Sequence, residues 1–165
     1  MIPCKLGNRN FSLPKNILES HGAINQIKLM HKPNTTEDIL VVVDDEGEII
    51  VLTIDKIKLV DKTKTIKYEV VKKKIYNPKI IYNDNSPWSV DCQYPYIIIG
   101  SNNRTVFVFN YETDSNNNEI INNSFIYKGN ENNIPYVTIS DNNCFIANNS
   151  IDKKFKIFDF YSGEM

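Results

Sequence analysis

A strand–turn–strand pattern occurs three times in this chain, and this repetition constrains the fold more than any other feature. The copies span residues 44–53, 100–110 and 150–159. Each copy opens with a short polar segment and continues as a run of β-branched and aromatic residues. A polar turn followed by such a run predicts the second strand of a β-hairpin. Three copies predict a chain built from repeated antiparallel units.

The copy at 100–110 reads Gly-Ser-Asn-Asn-Arg-Thr-Val-Phe-Val-Phe-Asn. It resembles the Gly-Ser-x-Asp-x-Thr-Val-x-Val-Trp-Asp signature of a WD-repeat hairpin. The copy at 150–159 keeps Ser150, the turn residue Asp152 and the closing Phe158 and Asp159 at the same spacing. The copy at 44–53 has Leu52 where the signature has an aromatic residue. The resemblance implies propeller blades, and a binding scaffold rather than an enzyme.

The spacing of hydrophobic residues predicts an all-β fold. Apolar residues recur with a period close to two over most of the chain, and β-branched residues dominate the apolar runs. No stretch has the spacing of an amphipathic helix. Aligning the first strands of the three units gives two columns, which alternation places on one face. The columns are Ile27, Val90 and Val137, and, two residues later, Leu29, Cys92 and Ile139.

This alignment predicts three four-stranded antiparallel blades that form part of an incomplete β-propeller. The outer strands are expected at 67–75 and 119–127, and the third unit ends where its outer strand should begin. Propellers usually have about four to eight blades, so three blades predict a fragment, a truncated reading frame or one part of a larger or oligomeric propeller. The expected parts are an N-terminal arm or closing strand at 1–20, a first blade with a lysine-rich insertion and outer strand at 21–80, a second blade at 85–128 and a truncated third blade at 130–165.

The net charge of −1 gives the whole chain no attraction to nucleic acid or to an anionic membrane. One segment differs: residues 56–79 carry nine lysines and two carboxylates, a local charge of +7. Lys72, Lys73 and Lys74 within it could form a nucleic-acid-binding or nuclear-import element. The favoured alternative is a solvent-facing outer strand whose lysines discourage the addition of another strand.

The cysteines and histidines predict neither a disulfide framework nor a metal site. Cys4, Cys92 and Cys144 are an odd set without CxxC spacing, and Cys92 and Cys144 are expected in apolar strands of a protein in a reducing compartment. No Ser-His-Asp set, metal-ligand spacing or phosphate-binding glycine loop occurs, so we expect no catalytic residues, metal or cofactor. No segment is apolar enough to predict a membrane span or a secretory signal.

Five residues are candidates for a structural or binding role. Glu46, Asn103 and Asp152 align at the turn position whose side chain accepts hydrogen bonds, and we expect them to stabilise the turns. WD repeats carry a Gly-His pair before the first strand, and the histidine of that pair bonds to the turn residue. Here the order is reversed, as His21-Gly22, so the sequence alone does not predict this bond for blade 1. The only tryptophan, Trp88, is expected in the core, with a rim position for partner binding as the alternative. Arg104 is the second candidate partner-binding residue.

Three further segments resemble one fungal family of WD-repeat proteins, the constitutive ribonucleotide-reductase-transcription regulators. These segments are 40–49, the Pro-Trp-Ser-Val-Asp run at 87–91 that leads into 97–104, and Asn-Ile-Pro-Tyr-Val at 133–137. The resemblance implies a nuclear or cytoplasmic scaffold linked to the control of ribonucleotide reductase genes and to cullin ubiquitin ligases as a substrate receptor. It implies protein partners and carries over no catalytic residue.

Overall fold

The computed structural model describes residues 5–6, 9–10, 20–35, 37–57, 67–76, 86–116 and 118–165. These residues form strands and no helix, which confirms the predicted all-β class. The strands are β1 (Lys5–Leu6), β2 (Arg9–Asn10), β3 (Ile24–His31), β4 (Glu37–Asp44), β5 (Ile49–Ile57), β6 (Lys67–Tyr76), β7 (Pro87–Gln93), β8 (Tyr96–Ser101), β9 (Val106–Thr113), β10 (Glu119–Tyr127), β11 (Tyr136–Ile139), β12 (Phe145–Asn149) and β13 (Phe155–Asp159).

Three antiparallel sheets account for most of these strands, and each sheet runs in chain order. Blade 1 is β3-β4-β5-β6, blade 2 is β7-β8-β9-β10, and blade 3 is the three-stranded sheet β11-β12-β13. The outer strands β6 and β10 lie where the sequence alignment predicts them. The short strands β1 and β2 pair with each other. The three blades form an open, incomplete propeller.

The blades stack face to face, with the innermost strand of blade 2 between those of blades 1 and 3. We call the face of a blade that points to the next blade its front face, and the opposite face its rear face. One buried cluster joins the front of blade 1, including Val41 and Val51, to the rear of blade 2, including Ile97 and Phe109. A second cluster joins the front of blade 2 to the rear of blade 3. Blade 2 is therefore covered on both faces, which its nearly uninterrupted apolar strands β8 and β9 require.

The turns between the second and third strands share one backbone conformation. Gly47, Arg104 and Lys153 occupy the same position in the three turns and have φ values of 84°, 67° and 69°. Residues other than glycine adopt such left-handed values at a cost, so the blade geometry determines the backbone at Arg104 and Lys153. The matching conformation supports the sequence alignment of the three copies.

The cysteines differ in part from the sequence-based expectation. Cys92 is buried in β7, where desolvation by burial raises the pKa of its thiol. Cys144 does not lie in an apolar strand as expected. It ends the turn before β12, and its amide donates to Ser140 Oγ at 3.1 Å. Polar residues 140–143 favour that turn over an extension of the strand. Cys4 lies outside the described residues.

Candidate protein-interaction surface

The three blades present equivalent loops at one end of the stack, which we call the turn end. At this end each innermost strand begins, at Ile24, Pro87 and Tyr136, and the second and third strands are joined by the turns at 44–48, 101–105 and 150–154. One backbone hydrogen bond ties each turn to the segment before the innermost strand. These bonds join Asp45 N to Ala23 O at 2.9 Å, Asn102 N to Ser86 O at 3.1 Å, and Ile151 N to Asn133 O at 3.0 Å.

The first residue of each turn holds the turn closed. Asp44 Oδ1 accepts the amides of Glu46 at 3.1 Å and Glu48 at 2.9 Å, and Asp44 is fully buried. In the other turns the equivalent oxygens are hydroxyls. Ser101 Oγ accepts the amide of Asn103 at 3.1 Å, and Ser150 Oγ accepts that of Asp152 at 3.2 Å. The expectation that Glu46 supplies the acceptor in blade 1 is therefore wrong, since Glu46 contributes its amide and Asp44 supplies the oxygen.

Asp152 makes additional contacts in the turn of blade 3. Its Oδ1 accepts the amide of Lys154 and its Oδ2 accepts that of Glu131, both at 2.9 Å. The backbone hydrogen bond from Glu131 is the largest of the effects that hold the pKa of Asp152 below its ordinary range. Asn103, at the same position in blade 2, contacts the hydroxyl of Ser101 through its side chain.

The His21-Gly22 pair contacts the first turn despite its reversed order. His21 Nδ1 lies 2.8 Å from Glu48 Oε1, and the amide of Gly22 donates to Asp44 Oδ2 at 3.3 Å. Histidine and glycine thus both reach the turn of blade 1, but the histidine's partner is Glu48 rather than the residue aligned with Asp152.

Trp88 lies in a β-bulge at the turn end, and its side chain is exposed. In the pairing of β7 with β8, Pro87 faces Ser101 and Ser89 faces Gly100, so Trp88 has no cross-strand partner. The extra residue interrupts the alternation that would otherwise place Trp88 on the same buried face as Val90. The expectation of core burial is wrong for this reason, and the rim position is the observed one.

Blade 1 has the same bulge, at Asn25, and there the side chain links two blades. The pairing of β3 with β4 shifts between Ile24 and Gln26. Asn25 Nδ2 donates to Asp45 Oδ1 and to the carbonyl of Pro87, each at 2.6 Å. The side chain at the bulge position of blade 1 therefore reaches across the turn end. In blade 2 the same position is occupied by the aromatic residue Trp88.

A polar cavity of about 460 Å³ adjoins the turn of blade 2. Its walls include two cations, a hydroxyl, two carboxamides, a glycine and two apolar side chains, and no carboxylate. The residues are Arg104, Lys128, Thr105, Asn103, Asn130, Gly129, Phe107 and Ile126. Among the described residues neither Arg104 nor Lys128 has an ion-pair partner. The Nδ2 of the buried Asn130 also has no hydrogen-bond acceptor there. This combination of unpaired donors favours an anionic ligand group.

An ion pair spans the innermost strands below the turn end. Lys28 Nζ lies 2.8 Å from Asp91 Oδ1, and Asp91 Oδ2 accepts the hydroxyl of Thr138 at 2.8 Å and the amide of Ile139 at 3.0 Å. Asp91 thus joins all three blades. Its burial raises the pKa, but the hydrogen bonds from Lys28, Ile139, Thr138 and Cys92 outweigh desolvation and hold the pKa below its ordinary value. The hydrogen bond to Asp91 raises the pKa of Lys28.

The lysine-rich segment lies away from this surface in the strand order. Lys72, Lys73 and Lys74 pair with Thr53, Leu52 and Val51 in β6, the outermost strand of blade 1. Their side chains, and residues 58–66 and 77–85, lie outside the described part of the structure. Within that part, no three side chains of the metal-ligating types are grouped. The described residues also contain no helix that could cross a membrane.

Comparison with known proteins identifies the fold. The chain resembles the WD40 repeats of RRP9, with a TM-score of 0.59 and 8% identity over 90% of this chain and 38% of that one. It resembles a chain of the Chaetomium thermophilum polycomb repressive complex 2, with a TM-score of 0.60 and 13% identity over 92% of this chain and 30% of that one. The third neighbour is U3-55K, with a TM-score of 0.54 and 8% identity over 90% of this chain and 39% of that one.

The identities are low, so the comparisons show the WD40 fold alone. No protein-family model matches the sequence, and no curated protein matches it. The chain spans well under half the length of each of these three structural neighbours.

Proposed function

We propose that this chain is a non-catalytic scaffold that binds a protein partner at the turn end of blades 2 and 3. The observation that carries this proposal is the exposed Trp88, presented by a β-bulge on a sheet that is packed on both faces. Tryptophan and arginine are the residue types most enriched among those that dominate binding energy, and a rigid support reduces the entropy cost of binding.

The cavity at the turn of blade 2 supports the choice of a protein segment as ligand. Arg104 and Lys128, which have no ion-pair partner in the described part of the chain, provide positive charge, and Phe107 and Ile126 provide apolar walls. The matching ligand is a peptide segment with an acidic side chain beside apolar ones. The tie between Asn102 and Ser86 holds the turn that carries Arg104 against the start of β7, so the cavity and Trp88 belong to one end of the same blade.

Affinity capture with the full chain tests this proposal. Trp88→Ala and Arg104→Asn should each reduce recovery of the specifically bound proteins at least about tenfold, because each removes an exposed anchor. Asparagine tolerates the left-handed backbone at position 104. Tyr161→Ala is the matched control, since Tyr161 is an exposed aromatic residue after β13, at the other end of blade 3. Equal recovery with all three variants would contradict the proposal.

A finer role follows from the sequence resemblance. We propose that the bound partners belong to the machinery that controls ribonucleotide reductase genes, or that the chain acts as a substrate receptor of a cullin ubiquitin ligase, in the nucleus or cytoplasm. Capture of a cullin complex that is lost with Trp88→Ala would support the receptor role. Its absence from partners that otherwise depend on Trp88 would reject that role and leave the binding surface intact.

Nucleic-acid binding is the second candidate function, favoured by the +7 charge of residues 56–79. Strand β6 places three consecutive lysines on the outer edge of blade 1. If this edge binds nucleic acid, affinity for a labelled oligonucleotide will fall steeply with salt, and changing Lys72, Lys73 and Lys74 to Glu will abolish it. Binding that is independent of salt or survives these changes would reject this function.

A further inference from the structure

The turn of blade 2 differs in charge from the equivalent turns of blades 1 and 3. The turn of blade 1 includes four carboxylates, whereas that of blade 2 contains Arg104 and no acidic residue. The turn of blade 3 has two lysines, which are offset by Asp152 and by Glu131, whose Oε1 lies 2.9 Å from Lys154 Nζ. Of these three turns, only that of blade 2 therefore carries a positive charge with no carboxylate of its own to offset it.

The cavity beside this turn has more positive charge than a single carboxylate would neutralise. Its walls carry the guanidinium of Arg104 and the ammonium of Lys128, together with the carboxamides of Asn103 and Asn130. A carboxylate has two oxygens and one negative charge. A phosphate monoester has three acceptor oxygens and a charge of about −1.5 to −2 at pH 7. Two cations with additional donors therefore match a phosphate group better than a carboxylate.

The buried Asn130 supplies a donor whose orientation is fixed by the neighbouring strand. Asn148 Nδ2 donates to Asn130 Oδ1 at 3.0 Å and to the carbonyl of Asn149 at 3.3 Å. Because the carbonyl of Asn149 needs a donor, Asn148 presents its nitrogen, and Asn130 must present its oxygen in return. Asn130 Nδ2 then has no acceptor among the described residues. Since Asn130 lines the cavity, a ligand oxygen there can supply the acceptor that a buried donor requires.

The walls favour one phosphorylated side chain over a nucleic-acid strand. The cavity has a volume of about 460 Å³, and Phe107 and Ile126 give it apolar surface. Lys156 adds a third positive charge, since its Nζ donates to the carbonyl of Gly129 in the wall. A nucleic-acid strand is bound by a track of cations that follows successive phosphates. Three cations around one cavity with apolar walls suit a single phosphate carried on a carbon chain.

We propose that the cavity at the turn of blade 2 binds a phosphorylated side chain of the protein partner, whose phosphate oxygens accept hydrogen bonds from Arg104 and Lys128. Phe107 and Ile126 contact the carbon atoms of the same side chain. This inference rests on the proposed function, because it specifies the acidic group by which the partner is recognised. Phosphorylation then regulates binding, since the dephosphorylated segment offers the two cations no negative charge.

Titration of the full chain with O-phosphoserine, followed by its amide resonances in NMR, tests the site directly. Saturable shifts are expected at Thr105, Gly129 and Asn130, at concentrations at least about tenfold below those at which acetate produces them. Shifts that fail to saturate, or that acetate produces equally, would overturn the proposal. Stronger shifts of these amides with a dinucleotide than with O-phosphoserine would assign the cavity to nucleic acid and would also overturn it.

Asn103→Asp tests the role of the missing carboxylate while preserving the turn. Blade 3 has Asp152 at this position, where it accepts a turn amide, so circular dichroism should show unchanged folding. The added charge in the cavity wall should weaken O-phosphoserine binding at least about tenfold by repulsion. Lys128→Gln, at an exposed position, should have the same effect by removing a cation. Asn142→Asp is the matched control, because it adds the same charge to an exposed Ser-x-Asn turn at the opposite end of blade 3.

Phosphatase treatment of the lysate before affinity capture separates this inference from the proposed function. If both hold, recovery of the proteins whose capture depends on Trp88 should fall at least about tenfold after dephosphorylation, and Asn103→Asp should reduce it similarly while Asn142→Asp should not. If capture that depends on Trp88 survives dephosphorylation, the inference fails and the proposed function stands. If no captured protein depends on Trp88, the proposed function fails and the inference fails with it.

Discussion

Asp91 is expected to be the most sensitive polar residue in the stack, because one carboxylate contacts all three blades. Replacing Asp91 with alanine leaves the amide of Ile139 and the hydroxyl of Thr138 without their acceptor and removes the partner of Lys28. Hydrogen bonds to charged groups contribute about 1.5–3 kcal/mol each, and a donor left buried and unpaired costs about 1–3 kcal/mol. Lys28 is 43% exposed and can regain water, which reduces the total. We expect Asp91→Ala to lower the free energy of unfolding by about 3 kcal/mol.

Urea unfolding followed by circular dichroism at one fixed protein concentration measures this loss. Lys28→Met is the matched comparison, since it keeps the aliphatic stem and removes the charge of a side chain that is 43% exposed, while Asp91 keeps its hydrogen bonds from Thr138 and Ile139. It should cost less than Asp91→Ala, about 1–2 kcal/mol. A loss below about 0.5 kcal/mol for Asp91→Ala would refute the reasoning, because a desolvated carboxylate that accepts these bonds cannot be neutral to stability.

The effect of Asp91 should also depend on pH, in a direction set by its pKa. The folded state holds the pKa of Asp91 below its ordinary value of 3.8. The stabilisation is therefore complete above the pKa of the unfolded chain and is lost as the pH falls through the lower pKa of the folded chain. The difference in stability between the unmodified chain and Asp91→Asn should be constant near neutral pH and should shrink below about pH 4. A difference that grows in acid would contradict this assignment.

Three further changes follow from local geometry. A Cβ on Gly100 would lie 2.5 Å from Ser89 Oγ and 2.8 Å from Val137 Cγ1, so Gly100→Ala should lower the free energy of unfolding by about 1–3 kcal/mol through the junction of blades 2 and 3. An unchanged midpoint of urea unfolding would contradict this close packing. Lys153 has a φ of 69°, so Lys153→Gly should raise thermal stability by up to about 1 kcal/mol, whereas a loss would show that its turn is not strained. The Cys92 thiol is buried and its pKa is raised, so iodoacetamide at pH 8 should leave Cys92 unmodified in the folded chain and modify it in urea, as measured by mass spectrometry. Labelling of Cys92 in the folded chain as fast as that of Cys144 would refute its burial.

Sequence periodicity predicts those parts of the fold that depend on neighbours along the chain. The outer strands β6 and β10 and the columns of Ile27 and Leu29 follow from alternation and repeat spacing alone. The same alternation fails at Trp88, because one extra residue in a bulge moves a side chain from the core to the surface, and nothing in the local composition marks the bulge. A tryptophan next to Pro87 looks like a packing residue until the pairing of β7 with β8 is known.

The side-chain contacts of the candidate surface depend on how the blades stack, and sequence reasoning missed most of them. Asp44 is the turn acceptor because it is the last residue of β4, and recognising it requires the strand end to be placed to within one residue. The partners of Asp91, Lys28 and Thr138, lie 63 and 47 positions away along the chain and belong to different blades. An aspartate directly before or within a turn is a usable signal for a turn acceptor such as Asp44. No signal in a single sequence indicates contacts between blades such as those of Asp91.

Amide hydrogen exchange most directly tests the central claim that blade 2 is covered on both faces while the front of blade 3 is open. Strands β8 and β12 are suitable for comparison, because each is paired on both sides within its sheet. In the full chain, the amides of Ile97, Ile98 and Ile99 should exchange at least about tenfold more slowly than those of Ile146, Ala147 and Asn148. Equal exchange in the two strands, or faster exchange in β8, would contradict the stacked arrangement.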